Sequence, residues 1–163
     1  MATRAKSAPA GECCDFKDAG RFVPGEGPKD ARVMVIGQNP GETEDEEGRP
    51  FVGASGRFLN TILKRNGIER RDIYVTNVVK CKTPQNRKPT RLEIAACLPG
   101  LEAEIKKIKP KVILLMGEVA WQAPRLEGIH YIETYHPAAA VRFPRFRKKF
   151  EEDVAKIKGA LKS

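Results

Sequence analysis

No stretch of the sequence approaches the roughly 20 consecutive apolar residues that a membrane helix requires. The start, residues 1–11, is basic and contains Ala and Ser, but it lacks an apolar core of signal-peptide length. These two absences argue against a helical membrane anchor and an export signal, and they lead to the expectation of a soluble cytoplasmic protein, nucleoid-associated if its source is prokaryotic. Cysteine is scarce, with 4 in 163 residues. Without an export signal, such thiols are expected to be reduced or to ligate a metal rather than to form structural disulfides. Neither Gly-x-Gly-x-x-Gly nor a P-loop follows a strand, which weakens a reading as an unrelated nucleotide-binding protein. No internal repeat is visible.

Cations are in excess. The 30 Lys and Arg residues against 21 Asp and Glu leave a formal charge of +9, and a surplus of that size attracts polyanions through counterion release. Charge alone does not choose among DNA, RNA and anionic membrane surfaces. A chain of this length with 40% hydrophobic residues can enclose one sizeable core. A disordered arm over residues 1–11 and a single domain over 12–163, present as a monomer, are expected.

The apolar runs and their stops define the elements. Val33-Met34-Val35-Ile36, halted by Gly37, predicts a strand, and the polar segment from Gln38 to Pro50 predicts a loop. Ser55 is placed to cap a helix with apolar positions Phe58, Leu59, Ile62 and Leu63, stopped by Gly67. A strand from Ile73 to Val79 precedes a polar loop, and Thr90-Arg91-Leu92-Glu93 is a capping box for a helix reaching about Ile108. Lys111 to Met116 predicts the most apolar strand. A short helix containing Trp121 follows, then a strand from His130 to Tyr135. Phe150, Val154, Ile157 and Leu161 mark a closing amphipathic helix. Four strand-helix repeats call for a three-layer α/β fold with a central four-stranded, mostly parallel sheet. In such sheets ligands bind beyond the carboxyl ends of the strands, so the loops beginning at Gly37, Asn77, Gly117 and His136 matter most.

Those loops hold the candidate site. Gly37-Gln38-Asn39-Pro40-Gly41-Glu42-Thr43-Glu44, followed by Gly48-Arg49-Pro50-Phe51-Val52-Gly53, shapes a tight turn whose backbone and amide side chains can approach a planar ligand. Asn77 offers a donor and an acceptor to a base edge. His136, set by Pro137, is placed to donate to an anion. Each group alone has a structural explanation as turn chemistry, but together they fall at three separate strand ends.

At these residues the sequence resembles the uracil-DNA glycosylase superfamily, and most closely its family 4, the iron-sulfur type. The resemblance runs from about Glu26 to Arg142 and rests on the Gly-x-x-Pro-Gly-Glu loop, Gly48 to Gly53, Thr76-Asn77-Val78-Val79-Lys80-Cys81 and His136-Pro137-Ala138. It implies a DNA repair enzyme that flips uracil from the duplex and hydrolyses its N-glycosidic bond. Phe51 would stack on the base, Asn77 would bond its edge, and His136 would stabilise charge on the departing base. Glu44 falls where similar enzymes set a bulky group against the thymine methyl. The segment through Ala140, Val141 and Arg142 would wedge into the duplex, although the small Ala139-Ala140 pair departs from the family's larger apolar residues. Gln38 stands where family 4 has an acid. Asn39 resembles instead the mismatch-specific uracil and thymine glycosylases, in which asparagine positions the attacking water. Gly37, Gly41 and Glu42 complete the substrate-binding set, with Asn39, His136 and Gln38 as the catalytic set. Two alternatives stay open: a glycosylase for hypoxanthine, xanthine or thymine opposite guanine, and a non-catalytic lesion binder of the same fold.

Arg142, Arg145 and Arg147 after His136 interleave with aromatic residues and, with Lys80, Lys82 and Arg87 after Asn77, predict phosphate contacts. Cys81 and Cys97, joined by Cys13 or Cys14, give three or four thiolates, which suits an iron-sulfur cluster or zinc. The family resemblance implies a [4Fe-4S] cluster. Because Cys13 and Cys14 are adjacent, a three-cysteine site, a four-cysteine site and no metal all remain open, with buried hydrophobic cysteines as the competing reading.

Overall fold

The structure, a computed structural model, describes residues 13–163. The expected arm over residues 1–11 therefore lies outside the described residues. Strands β1 (Val33–Gly37), β2 (Tyr74–Asn77), β3 (Val112–Met116) and β4 (His130–Thr134) form one sheet in the order β2-β1-β3-β4. Every pairing is parallel, with Gly37 beside Asn77 and Leu115 beside Glu133.

Side chains alternate between the faces of a strand, and the core divides accordingly. Met34, Ile36, Ile113 and Leu115 point to the face covered by α3 (Arg91–Ile108), where they pack with Leu101 and Ile105. Val33, Val35, Val112 and Leu114 point the other way. There they meet Leu59 and Leu63 of α2 (Ala54–Arg65) and Phe150, Val154 and Ile157 of α5 (Pro144–Lys162). Burial of each such side chain is worth roughly 1.5–3 kcal/mol, and the near-continuous apolar reading of β1 and β3 reflects cover on both faces.

Local rules explain the element ends. The Thr90 hydroxyl accepts from the Glu93 N–H at 3.1 Å while the Glu93 carboxylate accepts from the Thr90 N–H at 2.9 Å, so the expected capping box opens α3. Ser55 does not cap α2. Gly53 holds that position and Ser55 lies inside the first turn. The segment expected to be a loop contains a short helix, α1 (Glu42–Glu47), which has no buried residue and hence no apolar period to betray it. Its acidic first turn favours the positive end of the helix dipole. A second unexpected helix, α4 (Pro137–Arg142), follows His136 directly. No helix among the described residues is long and apolar enough to cross a membrane.

Candidate active site

The floor of the site is set where β1 ends. Gly37 has no side chain because none fits: a Cβ there would lie 2.7 Å from Asn77 Oδ1 and would overlap the Phe51 ring. Beyond it, Gln38 Nε2 donates to Asn39 Oδ1 at 3.1 Å, and Asn39 Nδ2 donates to the Pro40 carbonyl at 3.3 Å. The Asn39 amide is thereby pinned from both ends, with one lone pair of Oδ1 left for a further donor.

Phe51 is buried, and its backbone adopts a left-handed φ of 51°, a conformation that disfavours a side chain. Arg70 holds it there. Its Nη1 donates to the Phe51 carbonyl at 3.0 Å and to Asn60 Oδ1 at 3.1 Å, and its Nη2 donates to the Pro50 carbonyl at 2.7 Å. Burial lowers the pKa of Arg70, with the Glu26 carboxylate 3.8 Å away opposing that effect. Glu44 ties the same turn to α1: it accepts from Gly41 N–H at 3.1 Å through Oε1, and from Val52 and Gly53 N–H at 3.0 and 2.8 Å through Oε2.

Asn77 ends β2, where it is buried and its Oδ1 has no hydrogen-bond partner among the described residues. A buried amide oxygen left unpaired is costly, which points to an occupant carrying a donor. His136 caps α4, its Nδ1 accepting from the Ala138 N–H at 3.1 Å. In the neutral ring the proton therefore sits on Nε2. Burial pulls the His136 pKa down to about 4, with the Glu44 carboxylate working in the opposite direction. The imidazole is neutral at pH 7 and serves as a donor through Nε2. Its ring lies 6.1 Å from that of Phe51, tilted by 34°.

These groups meet. Asn39, Gly41, Glu42, Glu44, Phe51, Asn77 and His136 line one pocket of about 240 Å³ together with Thr43, Gly53, Ala54 and Ser55. Residues of three distant strand ends thus share one cavity. A family model described as the uracil DNA glycosylase superfamily matches residues 24–158. The chain belongs to the uracil DNA glycosylase superfamily. Within the superfamily it is similar to a type-4 uracil-DNA glycosylase of Pyrobaculum aerophilum, at 41% identity over 84% of this chain and 82% of the relative. It is similar also to a type-4 uracil-DNA glycosylase of Thermotoga maritima, at 39% identity over 86% of this chain and 83% of the relative. A type-5 uracil-DNA glycosylase of Pyrobaculum aerophilum matches at 35% identity over 64% of this chain and 52% of its own length.

Several expected DNA contacts change place in this family member. Lys80 is buried, with Nζ donating to the Asn77 carbonyl and pairing with Glu104 at 3.0 Å, so no phosphate reaches it. Ala140 is fully buried in α4 and faces the core rather than DNA. Arg87 is engaged by both oxygens of Glu93, at 2.9 and 2.7 Å, and is already committed within the fold. The exposed apolar groups of the segment after His136 are instead Val141, 54% exposed, and Phe143, 45% exposed. Arg142, Arg145 and Arg147 belong to the same segment, set over the rings of Phe143, Phe146 and Phe58 at 5.6, 5.0 and 5.2 Å. Lys82 is half-buried beside the Thr83 carbonyl.

The four cysteines gather on the opposite face of the sheet from α2 and α5, all buried. Cys13 pairs with Cys97 and Cys14 with Cys81, at Cα separations of 4.6 and 5.5 Å. Adjacency does not prevent Cys13 and Cys14 from both contributing, because Cys14 turns into a left-handed conformation with φ of 74°. The sequence reading of reduced or metal-ligating thiols thus meets a structure in which the four sulfurs lie together in two close pairs. Among the described residues no open cage of three or more His, Cys, Asp or Glu side chains is present, although four sulfurs in one place form a donor set suited to iron-sulfur chemistry.

Sequence reasoning missed Arg70, Gly56 and Glu104. A Cβ on Gly56 would overlap the Phe51 carbonyl, so α2 packs directly on the turn that carries the ring. Gly56 reads as an ordinary helix glycine, and Arg70 sits in a polar stretch of Glu and Arg residues that carries no period.

Proposed function

We propose that this protein excises uracil from DNA by hydrolysing the N-glycosidic bond of a nucleotide rotated out of the duplex. One observation carries the reading: Asn39, Phe51, Asn77 and His136 line a single pocket at the carboxyl ends of β1, β2 and β4. Phe51 supplies a face for the pyrimidine, and the Asn77 amide meets its edge, the unpaired Oδ1 accepting from a ring N–H. As the bond from the sugar to the base nitrogen breaks, its electron pair goes to the base. The His136 Nε2–H donates to an oxygen of that anion, and the sugar carbon becomes oxocarbenium-like. Water held by Asn39 Oδ1 adds to this carbon and releases a proton to solvent. A neutral amide orients water rather than deprotonating it, and this lowers the barrier by removing orientational freedom. Gln38 acts through Asn39 and is a positioning residue.

Val141 fills the space left in the duplex, and Arg142, Arg145 and Arg147 meet the phosphates. Extrusion costs a few kcal/mol and is least costly at a mismatch, so uracil opposite guanine is the preferred substrate. Cys13, Cys14, Cys81 and Cys97 would hold a [4Fe-4S] cluster, which supplies a rigid link between the N-terminal segment, the loop after β2 and α3. Protein purified without oxygen should be brown, contain iron and sulfide, and lose both in a Cys97→Ser variant. A colourless sample with intact disulfides would overturn the cluster assignment.

The presence of Asn39 in the pocket also favours a second reading, activity on thymine or another altered base opposite guanine. Duplexes carrying uracil, thymine opposite guanine, hypoxanthine or xanthine, incubated with the protein and then treated with alkali, separate the two. Scission at uracil is expected, and its absence would reject the principal reading.

A further inference from the structure

Asn77 presents an anomaly that the pocket alone does not resolve. Its side-chain oxygen has no hydrogen-bond partner among the described residues, so no bond to that oxygen fixes the direction of the amide. The direction is inherited from the backbone of Asn77 and from the close approach of Gly37. Whatever fixes the Asn77 main chain therefore fixes the group that reads the base.

Two sets of bonds fix it. After Asn77, the N–H groups of Val78 and Val79 donate to the carbonyls of Gly37 and Gln38, each at 3.0 Å, which docks the chain to the end of β1. The Asn77 carbonyl itself is taken by Lys80 Nζ, closing the turn from below. Lys80 is held in turn by Glu104 at 3.0 Å. The Glu104 carboxylate also accepts from the Tyr74 hydroxyl at 2.7 Å and from the Thr76 hydroxyl at 3.1 and 3.0 Å through its two oxygens. Two residues of β2 and the loop lysine thus converge on one carboxylate of α3. Tyr74, Lys80, Glu104 and Cys97 also line part of a cavity of about 260 Å³.

A buried ion pair is weak support for stability, since apolar residues of similar volume often do as well. A largely buried pair that also grips one backbone carbonyl has a geometric use. We propose that Lys80 and Glu104 are positioning residues for uracil recognition, holding the Asn77 amide at the angle from which it meets the base edge. The inference rests on the reading of the pocket given above and adds to it a requirement that lies outside the pocket.

The test uses the full-length protein with Lys80→Met and Glu104→Gln. Lys80→Met keeps most of the aliphatic length and removes the grip on the carbonyl. Misplacement of a reading group by about 1 Å lowers rates by about 10²-fold, so single-turnover excision of uracil should fall by that order. Glu104→Gln keeps an acceptor for Tyr74 and Thr76 and should lose only about 10-fold or less, still by the reasoning that smaller displacements cost less. The distinguishing measurement is affinity for two duplexes, one carrying a non-cleavable 2′-fluoro-deoxyuridine and one carrying an abasic analogue. Preference for the uracil duplex should shrink in both variants while affinity for the abasic duplex stays at the wild-type value. Equal loss on both duplexes, or excision within threefold of wild type in Lys80→Met, would overturn the proposal. Should Lys80→Met fail to fold, Glu104→Gln read on the same two duplexes decides in the same way. Absence of uracil excision by the wild-type protein would instead count against the proposed function itself.

Discussion

His136→Ala removes a hydrogen-bond donor from the pocket while leaving the sheet and its core in place. The structural cost is small. Losing the acceptor that caps α4 through the Ala138 N–H costs about 1 kcal/mol, which a domain with about 5–15 kcal/mol of stability tolerates. The catalytic cost is larger, because one donor aimed at developing negative charge is worth about 10²–10³ in rate. Single-turnover excision on a uracil duplex should therefore fall by about that factor, with DNA affinity nearly unchanged. The pH profile sharpens the test. Burial holds the His136 pKa at about 4, so the ring is already neutral throughout the range in which an ordinary histidine titrates, and wild-type excision should be flat from pH 8 to pH 5. The linked stability has a definite sign. A histidine whose folded pKa lies below its unfolded value of 6.5 stabilises fully above pH 6.5, and that contribution is lost as the pH falls through about 4. In His136→Ala this part of the acid sensitivity should vanish. A wild-type rate that climbs as pH falls through 7 to 6 would show a charged imidazole at work and refute the reasoning, as would equal losses of cleavage and DNA affinity.

Gly37→Ala should push the Phe51 ring and the Asn77 amide apart, since the new Cβ would meet both; kcat/KM on uracil DNA should drop by about 10²-fold, as expected for a misplaced site. Arg70→Met leaves the Pro50 and Phe51 carbonyls without their donor, at a cost of about 1–3 kcal/mol for each unsatisfied group. Chemical denaturation should register that loss, and KM should rise more than kcat falls. Val141→Ser, which removes an exposed apolar group, should slow excision from duplex DNA while sparing single-stranded DNA; equal slowing on both would remove Val141 from the wedge.

Much of the fold was legible because burial on both faces of β1 and β3 produces unbroken apolar runs, and because Thr90 and Glu93 announce α3 through a reciprocal cap. Strand boundaries were less so: most residues from Ile73 to Val79 are apolar, but the strand itself spans only Tyr74–Asn77. The helices α1 and α4 carried no signal, as one has no buried residue and the other consists mainly of alanine and proline. The pocket residues could be read because chemistry-bearing side chains stood at the strand ends. Their supports could not, since the Arg70 clamp on Phe51 and the Lys80–Glu104 pair join residues far apart in sequence. Lys80 shows why charge alone misleads: a lysine among cations after Asn77 looks like a phosphate contact, yet it turns inward because a carboxylate and a carbonyl await it.

Soaking crystals of the protein with free uracil, and locating the ring, tests the pocket most directly. The ring is expected stacked on Phe51, with its edge on the Asn77 amide and an oxygen within hydrogen-bond distance of His136 Nε2. Uracil bound elsewhere, or oriented with that edge away from Asn77, would contradict the assignment.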